Sequence, residues 1–526
     1  MSSRDGVHGD VLIIGAGVAG LSAALKLSPL KVTVLSNAPL GENASSSWAQ
    51  GGIAAAVAGN DSTARHAADT VAVTAGIGDA GAIDLITREG PEKISTLMEW
   101  GVNFDRSPEG VLSLGREGGH SRRRILHANG DATGKEIMRA LIAAVKASPT
   151  ITVIEGAAAR DLIVEDGRCR GVVARLGDQL VPILAPSVVL TTGGIGQLYP
   201  YTTNPAGATG SGLAMAALAG AVIADPEFVQ FHPTVLETVA NPLPLLTEAL
   251  RGDGAILVDD TGERFMPGFH PDGELAPRDV VARAIWQRRQ GGQKVYLDCR
   301  TIPGGNLASR FPTVFAYCRD AGLDPERDPL PVVPAVHYHM GGVATDENGR
   351  TSIEGLWACG EVASTGAHGG NRLASNSLLE AVVYAAHIAA DITATPLPPC
   401  PAAAAATVTR PPRSGDPEIL GKLAGLMHDN LGLVRDEPSL VRALLELRDM
   451  SGNVNGLPAE IRDRITVARL IAAGALQRRE SRGSHFRADH PAPDETLRRR
   501  TFLTLAEVDT LTDSLCPQSS PRKKSA

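Results

Sequence analysis

Several features that mark other classes of protein are scarce or missing in this chain of 526 residues. Only six residues are cysteine, and none of them forms a CxxC pair or a zinc-binding spacing. Such scattered cysteines argue against a disulfide-stabilised secreted fold and fit a reducing compartment. We therefore expect a cytoplasmic protein, and we predict no metal site.

Long apolar runs and an excess of positive charge are missing as well. The longest apolar stretch, residues 212–224, is shorter than the ~20 residues that cross a bilayer. Residues 1–9 lack the charged and then apolar pattern of a signal peptide. The 50 basic and 58 acidic residues give a net charge of -8, which predicts no basic surface for nucleic acid. We therefore expect neither a membrane partner nor a nucleic-acid partner.

What the chain does contain is enough apolar material for several hydrophobic cores. Hydrophobic residues make up 43% of the sequence, and the chain is too long for one ordinary domain. A segment rich in prolines and loops interrupts the pattern of short apolar strands, and helical patterning such as that of residues 440–448 follows a Pro/Ala-rich stretch. The predicted boundaries are 1–235 and 346–395 for a dinucleotide-binding domain, 236–345 for an inserted capping domain, 396–415 for a linker, 416–516 for a C-terminal helical domain and 517–526 for a disordered tail.

The beginning of the chain carries a dinucleotide-binding pattern. Residues 10–14 predict a buried strand, residues 21–27 a helix and residues 31–35 a second strand. The turn after the first strand has the spacing GxGxxG and contains Gly15, Ala16, Gly17 and Gly20. The first glycine permits the tight turn, the second lets the backbone approach a pyrophosphate, and the third allows the helix to pack closely on the strand.

The second strand ends in Ser36 and Asn37, where an acidic residue usually holds the ribose hydroxyls. This difference weakens an NAD assignment more than a flavin assignment. Two later apolar strands, 187–190 and 356–358, also end in glycine, as expected at a nucleotide-binding edge.

Residues 45–53 read SSSWAQGGI, and this stretch resembles the S-x-x-AQGGI segment of the succinate dehydrogenase/fumarate reductase flavoprotein family. The resemblance implies a loop that wraps around FAD through Ser45, Ser46, Ser47, Gln50, Gly51 and Gly52. Respiratory members carry a histidine just before this segment that is bonded covalently to the flavin. Residues 41–52 contain no histidine, so the resemblance implies non-covalent FAD.

Further motifs are similar to the L-aspartate oxidase branch of this family. They include REGGHS (116–121), DATG (131–134), QFHPT (230–234), TEALRG (247–252), HYHMGG (337–342) and HGGNRLASNSL (368–378), and the likeness extends in order to about residue 390. The implied fold is α/β: a Rossmann-like FAD-binding domain, an inserted α+β capping domain and a C-terminal helical bundle. Glu361, Ser377 and Leu378 complete the implied FAD site. Two residues depart from the family, which usually has aspartate at Ser211 and often has lysine at Asn37.

The resemblance also implies a site for a dicarboxylate, whose charged ends suit planar guanidinium groups. We predict Arg278, His232 and Glu117 as the catalytic residues, and Thr247, His337 and Arg372 as the substrate-binding residues. Matched to the family, the two histidines, Thr247 and Arg372 hold the carboxylates and Arg278 transfers a proton. Glu117 would attract the ammonium group that aspartate has and succinate lacks.

The implied activity is FAD-dependent oxidation of L-aspartate to iminosuccinate, with O2 (giving H2O2) or fumarate as electron acceptor. This would be the first step of de novo NAD biosynthesis, coupled functionally to quinolinate synthase. A soluble fumarate reductase or succinate dehydrogenase flavoprotein is the alternative, and a nucleotide-binding protein without catalytic activity is a third hypothesis.

Simpler explanations exist for several of these residues when each is considered alone. Arg278 and Arg283 could form a solvated helix face, and His232 could be an ordinary core histidine. Glu361 could cap the helix that follows it. The basic run 122–124 is more often solvated or ion-paired than part of a ligand site.

Overall fold

The structure, a computed structural model, describes residues 9–396, 399, 415–452 and 457–516. The predicted tail lies outside the described residues, and so does the predicted linker apart from residues 396, 399 and 415. The same is true of Cys400, one of the six cysteines.

The nineteen strands in the described residues form five sheets. In chain order they are β1 (Val11–Ile14), β2 (Val32–Ser36), β3 (Ile53–Ala54), β4 (Leu114–Gly115), β5 (Ile125–Leu126), β6 (Ile151–Glu155), β7 (Ala157–Glu165), β8 (Arg168–Leu176), β9 (Gln179–Leu184), β10 (Ser187–Leu190), β11 (Ile223–Ala224), β12 (Val229–Leu236), β13 (Ile256–Asp259), β14 (Val295–Asp298), β15 (Leu330–His339), β16 (Gly342–Ala344), β17 (Leu356–Ala358), β18 (Ala363–Ser364) and β19 (Phe502–Leu503).

The helices cover the sheets and make up most of the C-terminal part. In chain order they are α1 (Val18–Lys26), α2 (Thr63–Val73), α3 (Ala80–Glu99), α4 (Thr133–Ala147), α5 (Ser211–Leu218), α6 (Glu248–Gly252), α7 (Arg278–Gln290), α8 (Leu307–Arg310), α9 (Pro312–Asp320), α10 (Asn376–Ala394), α11 (Pro417–Leu431), α12 (Glu437–Ser451), α13 (Ala459–Gln477) and α14 (Leu505–Ser514).

A parallel five-stranded sheet in the order β17-β10-β1-β2-β6 forms the centre of the dinucleotide-binding part. Every residue of β1, β2, β10 and β17 is buried, because α1 and α10 pack on one face of the sheet and β7, β8 and β9, with α5, pack on the other. The apolar runs had predicted these four strands, with bounds that differ by at most one residue. The predicted helix 21–27 begins three residues earlier, directly after Gly17.

The inserted segment has its own antiparallel sheet and its own hydrophobic core. The sheet order is β12-β15-β14-β13, and α7 packs against it. A separate cluster of buried apolar side chains, between residues 236 and 332, fills this part. The two long strands β12 and β15 connect it to the dinucleotide-binding part, so their residues can contribute to a site between the two. The predicted boundaries at 236 and 345 stay a prediction.

The C-terminal helices do not form an independent core. Leu426 of α11, Leu444 of α12 and Leu470 of α13 belong to the same apolar cluster as Leu12 and Ile14 of β1. The sequence had left open whether this region packs on the dinucleotide-binding domain, and it does. The predicted fold class is confirmed: an α/β dinucleotide-binding part, an inserted part that contains both helices and strands, and a C-terminal helical part.

Helix α10 is long and apolar enough to cross a membrane by length and composition alone. It is nevertheless a core helix, because 61% of its apolar window is buried and it packs against α1 and α3. The longest apolar stretch in the sequence, 212–224, forms α5 and β11, which lie largely in the interior.

Candidate active site

A cavity of about 410 Å³ lies at the C-terminal ends of β1, β2 and β10, where a dinucleotide binds in this type of sheet. Its wall includes Ser36 and Asn37 at the end of β2, and His337, Glu361 and Arg372 on the side of the inserted part. Eleven of the fifteen predicted cofactor residues and two predicted substrate residues therefore share one cavity.

The glycine turn after β1 has the geometry that a pyrophosphate site needs. Gly15 has φ +112°, and a Cβ there would lie 2.3 Å from the carbonyl oxygen of Thr191. A Cβ at Gly20 would lie 2.1 Å from the carbonyl oxygen of Gly15. Gly15, Ala16 and Gly17 line the cavity, whereas Gly20 lets α1 pack against the turn. The N-terminus of α1 consequently faces the cavity, where it favours a negatively charged group.

The loop 41–52 covers this turn, but its predicted cofactor residues divide into two groups. Ser45, Ser46 and Gln50 line the cavity. The hydroxyl of Ser47 instead donates to the carbonyl oxygen of Gly41 at 2.9 Å and so closes the loop.

Gly51 and Gly52 also lie outside the cavity wall. A Cβ at Gly52 would lie 2.2 Å from the carbonyl oxygen of Leu126, and one at Gly51 would lie 2.9 Å from Oε1 of Glu117. These two glycines therefore let the loop approach β5 and the Glu117 carboxylate.

Polar atoms in the cavity wall fit a dinucleotide. Oε1 of Gln50 and Oγ1 of Thr192 are buried and have no hydrogen-bond partner among the described residues. Ser36 is less available, because its hydroxyl donates to the carbonyl oxygen of Ala38 at 2.6 Å. Ser377 and Leu378, at the start of α10, also line the cavity. The donor and acceptor atoms present suit FAD, which carries phosphates, hydroxyls and a polar ring.

Glu361 is partly buried in the loop that follows β17. Its Oε1 accepts a hydrogen bond from the backbone N–H of His339 at 3.0 Å, and a Cβ at Gly194 would lie 2.1 Å from that oxygen. Burial raises the pKa of Glu361 to about 7. Glu361 is thus held by the backbone against the cavity wall, and it does not serve as a simple helix cap.

Two buried arginines and two histidines form a cationic and polar cluster at the substrate end of the cavity. Arg278 Nη1 and Arg372 Nη2 donate to the same oxygen, Oε1 of Gln230, at 3.0 and 3.1 Å. The rings of His232 and His337 lie 5.2 Å apart, edge to face. Four of the residues that the sequence predicted are therefore neighbours in space.

Burial and positive charge keep the two histidines neutral. Burial lowers the pKa of His232 well below its usual range, and Arg278 and His337 lower it further. Burial and the two arginines do the same to the pKa of His337. Burial and Arg278 lower the pKa of Arg372 to about 10, so this guanidinium is still charged at neutral pH. Thr247 caps α6 and is buried as well.

The sequence did not single out Glu248 and Arg251, which extend this cluster. Arg278 Nε donates to Oε2 of Glu248 at 2.6 Å, and Arg251 Nη2 lies 3.6 Å from the other oxygen. Burial alone would raise the pKa of Glu248, but the two arginines lower it overall. The i, i+3 spacing of glutamate and arginine within TEALRG was the signal that could have identified this pair.

Glu117 is buried near the same cluster. Its Oε2 accepts a hydrogen bond from the hydroxyl of Ser375 at 2.6 Å. It interacts electrostatically with Arg251 and Arg372. Glu117, which is predicted to contact the ammonium group of the substrate, is therefore close to the residues predicted to bind the substrate's carboxylates.

The simpler explanations hold for some residues and not for others. Arg283 pairs with Asp279 at 2.7 Å and donates to the carbonyl oxygen of Gly483, so it differs in surroundings from Arg278. Arg124 is fully buried and pairs with Asp61 and Asp69, which makes it a structural residue.

Comparisons with known proteins agree with this geometry. The family models described as "FAD binding domain" and "Fumarate reductase flavoprotein C-term" match residues 10–378 and 457–514. The chain is 48% identical to the L-aspartate oxidase of Caulobacter vibrioides, over 94% of this chain and 96% of that protein. It is 47% identical to the L-aspartate oxidase of Agrobacterium fabrum, over 95% and 94%.

A solved structure of E. coli quinol fumarate reductase FrdA superimposes with a TM-score of 0.86 at 30% identity, over 94% of each chain. These comparisons confirm the resemblance seen in the sequence motifs. The chain belongs to the succinate dehydrogenase/fumarate reductase flavoprotein family, within its L-aspartate oxidase branch.

Proposed function

We propose that this chain catalyses the FAD-dependent oxidation of L-aspartate to iminosuccinate. The observation that carries the proposal is the placement of Arg278 and Arg372 on one shared acceptor, with buried Glu117 nearby. Two guanidinium groups suit a substrate with two carboxylates. A buried carboxylate suits the ammonium group that distinguishes aspartate from succinate.

In this proposal His232, Thr247, His337 and Arg372 hold the two substrate carboxylates. Nε of Arg372 is buried without a hydrogen-bond partner among the described residues, so one donor is left for a ligand. The histidines are neutral, and they can bind a carboxylate through N–H groups without adding charge. The inserted part covers the site, and Tyr317 of α9 contributes to the cavity wall. We propose that this part acts as a lid that excludes water.

Proton transfer is assigned to Arg278 together with Glu248, and Arg251 stabilises the charge of Glu248. An arginine is a poor base at neutral pH, because its guanidinium group stays protonated there. Arg278 therefore stabilises charge and relays the proton: its guanidinium passes a proton to the Glu248 carboxylate as it takes one from the substrate nitrogen, so it stays charged. Arg251 Nη2 lies 3.6 Å from the other oxygen of Glu248, so its charge stabilises this carboxylate without a hydrogen bond.

FAD supplies the two-electron chemistry when it is bound, by accepting a hydride from the substrate Cα. Loss of that hydride and of a proton from the ammonium nitrogen converts aspartate to iminosuccinate. Glu117 orients the nitrogen, and the cationic cluster fixes the carboxylates so that Cα is held in one position.

Non-covalent attachment of FAD is a further part of the proposal. Residues 41–52 contain no histidine, and His337 is the only histidine in the described wall of the cavity. Its Nδ1 is already hydrogen-bonded to Oγ1 of Thr203 at 2.9 Å. Acid precipitation of the purified protein should release the yellow flavin to the supernatant. Flavin retained in the pellet would contradict non-covalent binding.

We also propose O2 (giving H2O2) or fumarate (giving succinate) as the electron acceptor. Iminosuccinate would be consumed by quinolinate synthase at the start of de novo NAD biosynthesis. The described cysteines are unpaired, in keeping with a reducing, cytoplasmic location. A fumarate reductase or succinate dehydrogenase activity is the second candidate, because the fold superimposes on a fumarate reductase.

The two candidates are separated by substrate reduction of the bound flavin without oxygen. Aspartate should bleach the visible flavin absorbance of the purified protein, and succinate should bleach it more slowly. Bleaching by succinate alone would overturn the assignment. Bleaching by neither substrate would leave the protein without either activity and would equally contradict the proposal.

A further inference from the structure

Helix α13, from the C-terminal part of the chain, contributes to the wall of the cofactor cavity. Two of its residues, Glu460 and Asp463, line that cavity. The Glu460 side chain remains 41% exposed and pairs with Arg464. Asp463 is only 2% exposed, so its carboxylate is shielded from solvent. Of these two acidic residues, Asp463 is therefore the one placed to meet a ligand inside the protein.

Only one oxygen of the Asp463 carboxylate has a protein partner. Oδ1 accepts hydrogen bonds from Nε and Nη2 of Arg462 at 3.0 and 2.9 Å. Oδ2 is buried and has no hydrogen-bond partner among the described residues. A buried carboxylate oxygen without a donor is unfavourable, and a donor on a ligand would remove that cost. Burial raises the pKa of Asp463 to about 6, so the group is still mostly ionised at neutral pH.

The neighbours of Asp463 place it at one end of the cavity. Arg462 donates to the carbonyl oxygen of Arg160 at 3.1 Å and pairs with Asp161 at 2.8 Å, both on β7. Strand β7 follows β6, which pairs with β2 in the central sheet. In a βαβ dinucleotide site, the end of the second strand faces the adenosine ribose.

The next turn of α13 on the same face gives the same position. A Cβ at Gly210 would lie 3.1 Å from Cγ2 of Val467, one helical turn after Asp463. Gly210 directly precedes α5, whose first residue, Ser211, lines the cavity. Asp463 therefore lies between β7 and the start of α5, and neither its contacts nor those of Arg462 involve the substrate cluster.

We infer that Asp463 binds the adenosine half of FAD, with Oδ2 accepting a hydrogen bond from a hydroxyl or amino group of the adenosine. The inference depends on FAD binding and not on the identity of the substrate. A failed aspartate assay would leave it unaffected, because the measured quantity is nucleotide affinity.

The test measures the affinity of the apoprotein for FAD through the quenching of flavin fluorescence. In Asp463→Asn, Arg462 still donates to the oxygen of the new side chain. The amide NH2 therefore faces the ligand, and it cannot accept a hydrogen bond. We expect the Kd for FAD to rise about tenfold or more, the loss typical of a charge-assisted hydrogen bond. The Kd for ADP, which contains the adenosine half alone, should rise by the same factor.

The matched control is Asp161→Asn, which removes the other ion-pair partner of Arg462 but does not line the cavity. It should bind FAD and ADP like the wild type. Equal weakening by both variants would show that the effect runs through Arg462 and would overturn the inference. An unchanged Kd in Asp463→Asn, or a change for FAD without one for ADP, would overturn it too.

If Asp463→Asn does not fold, Asp463→Glu keeps the charge while it moves the carboxylate by one methylene group. That variant should also weaken FAD and ADP binding, and unchanged affinities would contradict the inference. Inosine diphosphate, which lacks the adenine amino group, identifies the donor. An effect of Asp463→Asn that persists with this nucleotide assigns the hydrogen bond to a ribose hydroxyl, and a lost effect assigns it to the amino group.

Discussion

Arg278 and Arg372 donate to the same acceptor, Oε1 of Gln230, at 3.0 and 3.1 Å. The two arginines are 94 residues apart in the chain, at the start of α7 and before α10. The amide nitrogen of Gln230 is itself held by Oδ1 of Asn371 at 2.8 Å. An uncharged side chain thus fixes the spacing of the two cations that we assign to the substrate.

Gln230→Leu should reduce kcat/KM for aspartate about 10- to 100-fold and leave FAD in place. The leucine removes the shared acceptor, so both guanidinium groups lose a hydrogen bond worth about 1.5–3 kcal/mol. Steady-state kinetics of peroxide formation measure the effect. Gln293→Leu, in which the lost partner is Asp259 of β13, serves as control. Kinetics like those of the wild type for Gln230→Leu would show that the spacing of the arginines does not matter.

Arg278→Leu should lower turnover at least about 10³-fold while the protein stays yellow. Both the positive charge near the reacting carbon and the contact with Glu248 are lost, whereas the glycine turn of the FAD site is untouched. Turnover and the flavin spectrum are measured on the same preparation. Arg288→Leu, on the same helix but paired with Asp259, should keep near-normal turnover. Surviving turnover in Arg278→Leu would mean that the proposed site is wrong.

Glu117→Gln should change the choice of substrate. The amide keeps the size of the side chain but cannot balance an ammonium charge, so flavin reduction by aspartate should fall about 10- to 100-fold. Reduction by succinate should stay the same or improve, because succinate has no ammonium group. Ser375→Ala, which removes the hydrogen bond to Glu117 but keeps its charge, should have a smaller effect. An equal loss with both substrates would argue against the assigned role.

The stability of the protein should fall as the pH drops from 7 towards 5. Burial lowers the pKa of His66 to about 3 and that of His339 to about 4. Below the unfolded value of about 6.5, the unfolded chain binds protons at these positions that the folded chain does not. Each histidine therefore costs about 1.4 kcal/mol per pH unit, until the folded chain also binds the proton near pH 4 for His339 and near pH 3 for His66.

Urea unfolding at pH 7 and pH 5.5 measures this loss of stability. His66→Gln keeps a donor for Oδ1 of Asn376, which now lies 2.8 Å from the His66 ring nitrogen, and it removes the titrating group. The variant should lose less stability than the wild type over the same interval. Burial raises the pKa of Glu361 to about 7, which acts in the opposite direction, but this contribution is common to both proteins and cancels in the comparison. Equal losses would contradict the assignment.

Some features of this protein follow from the sequence alone, because the residues that produce them are contiguous. A run of apolar residues that ends in GxGxxG and continues into a helix former needs no distant partner to specify β1, the turn and α1. The same is true of the strands at 187–190 and 356–358. The family resemblance also pointed to Arg278, His232, His337 and Arg372, and the structure brings these four residues together in one cluster.

Only the tertiary structure decided which atoms of these residues are free and which are occupied. Ser36 and Ser47 match a cofactor pattern, yet their hydroxyls donate to nearby carbonyl groups. Gln230 accepts hydrogen bonds from both arginines because β12 places it between these two distant segments. Asp463 lies in the cavity wall because α13 packs against the central sheet. Side-chain hydrogen bonds between distant segments leave no periodic trace in a sequence, so the chain must fold before they can be assigned.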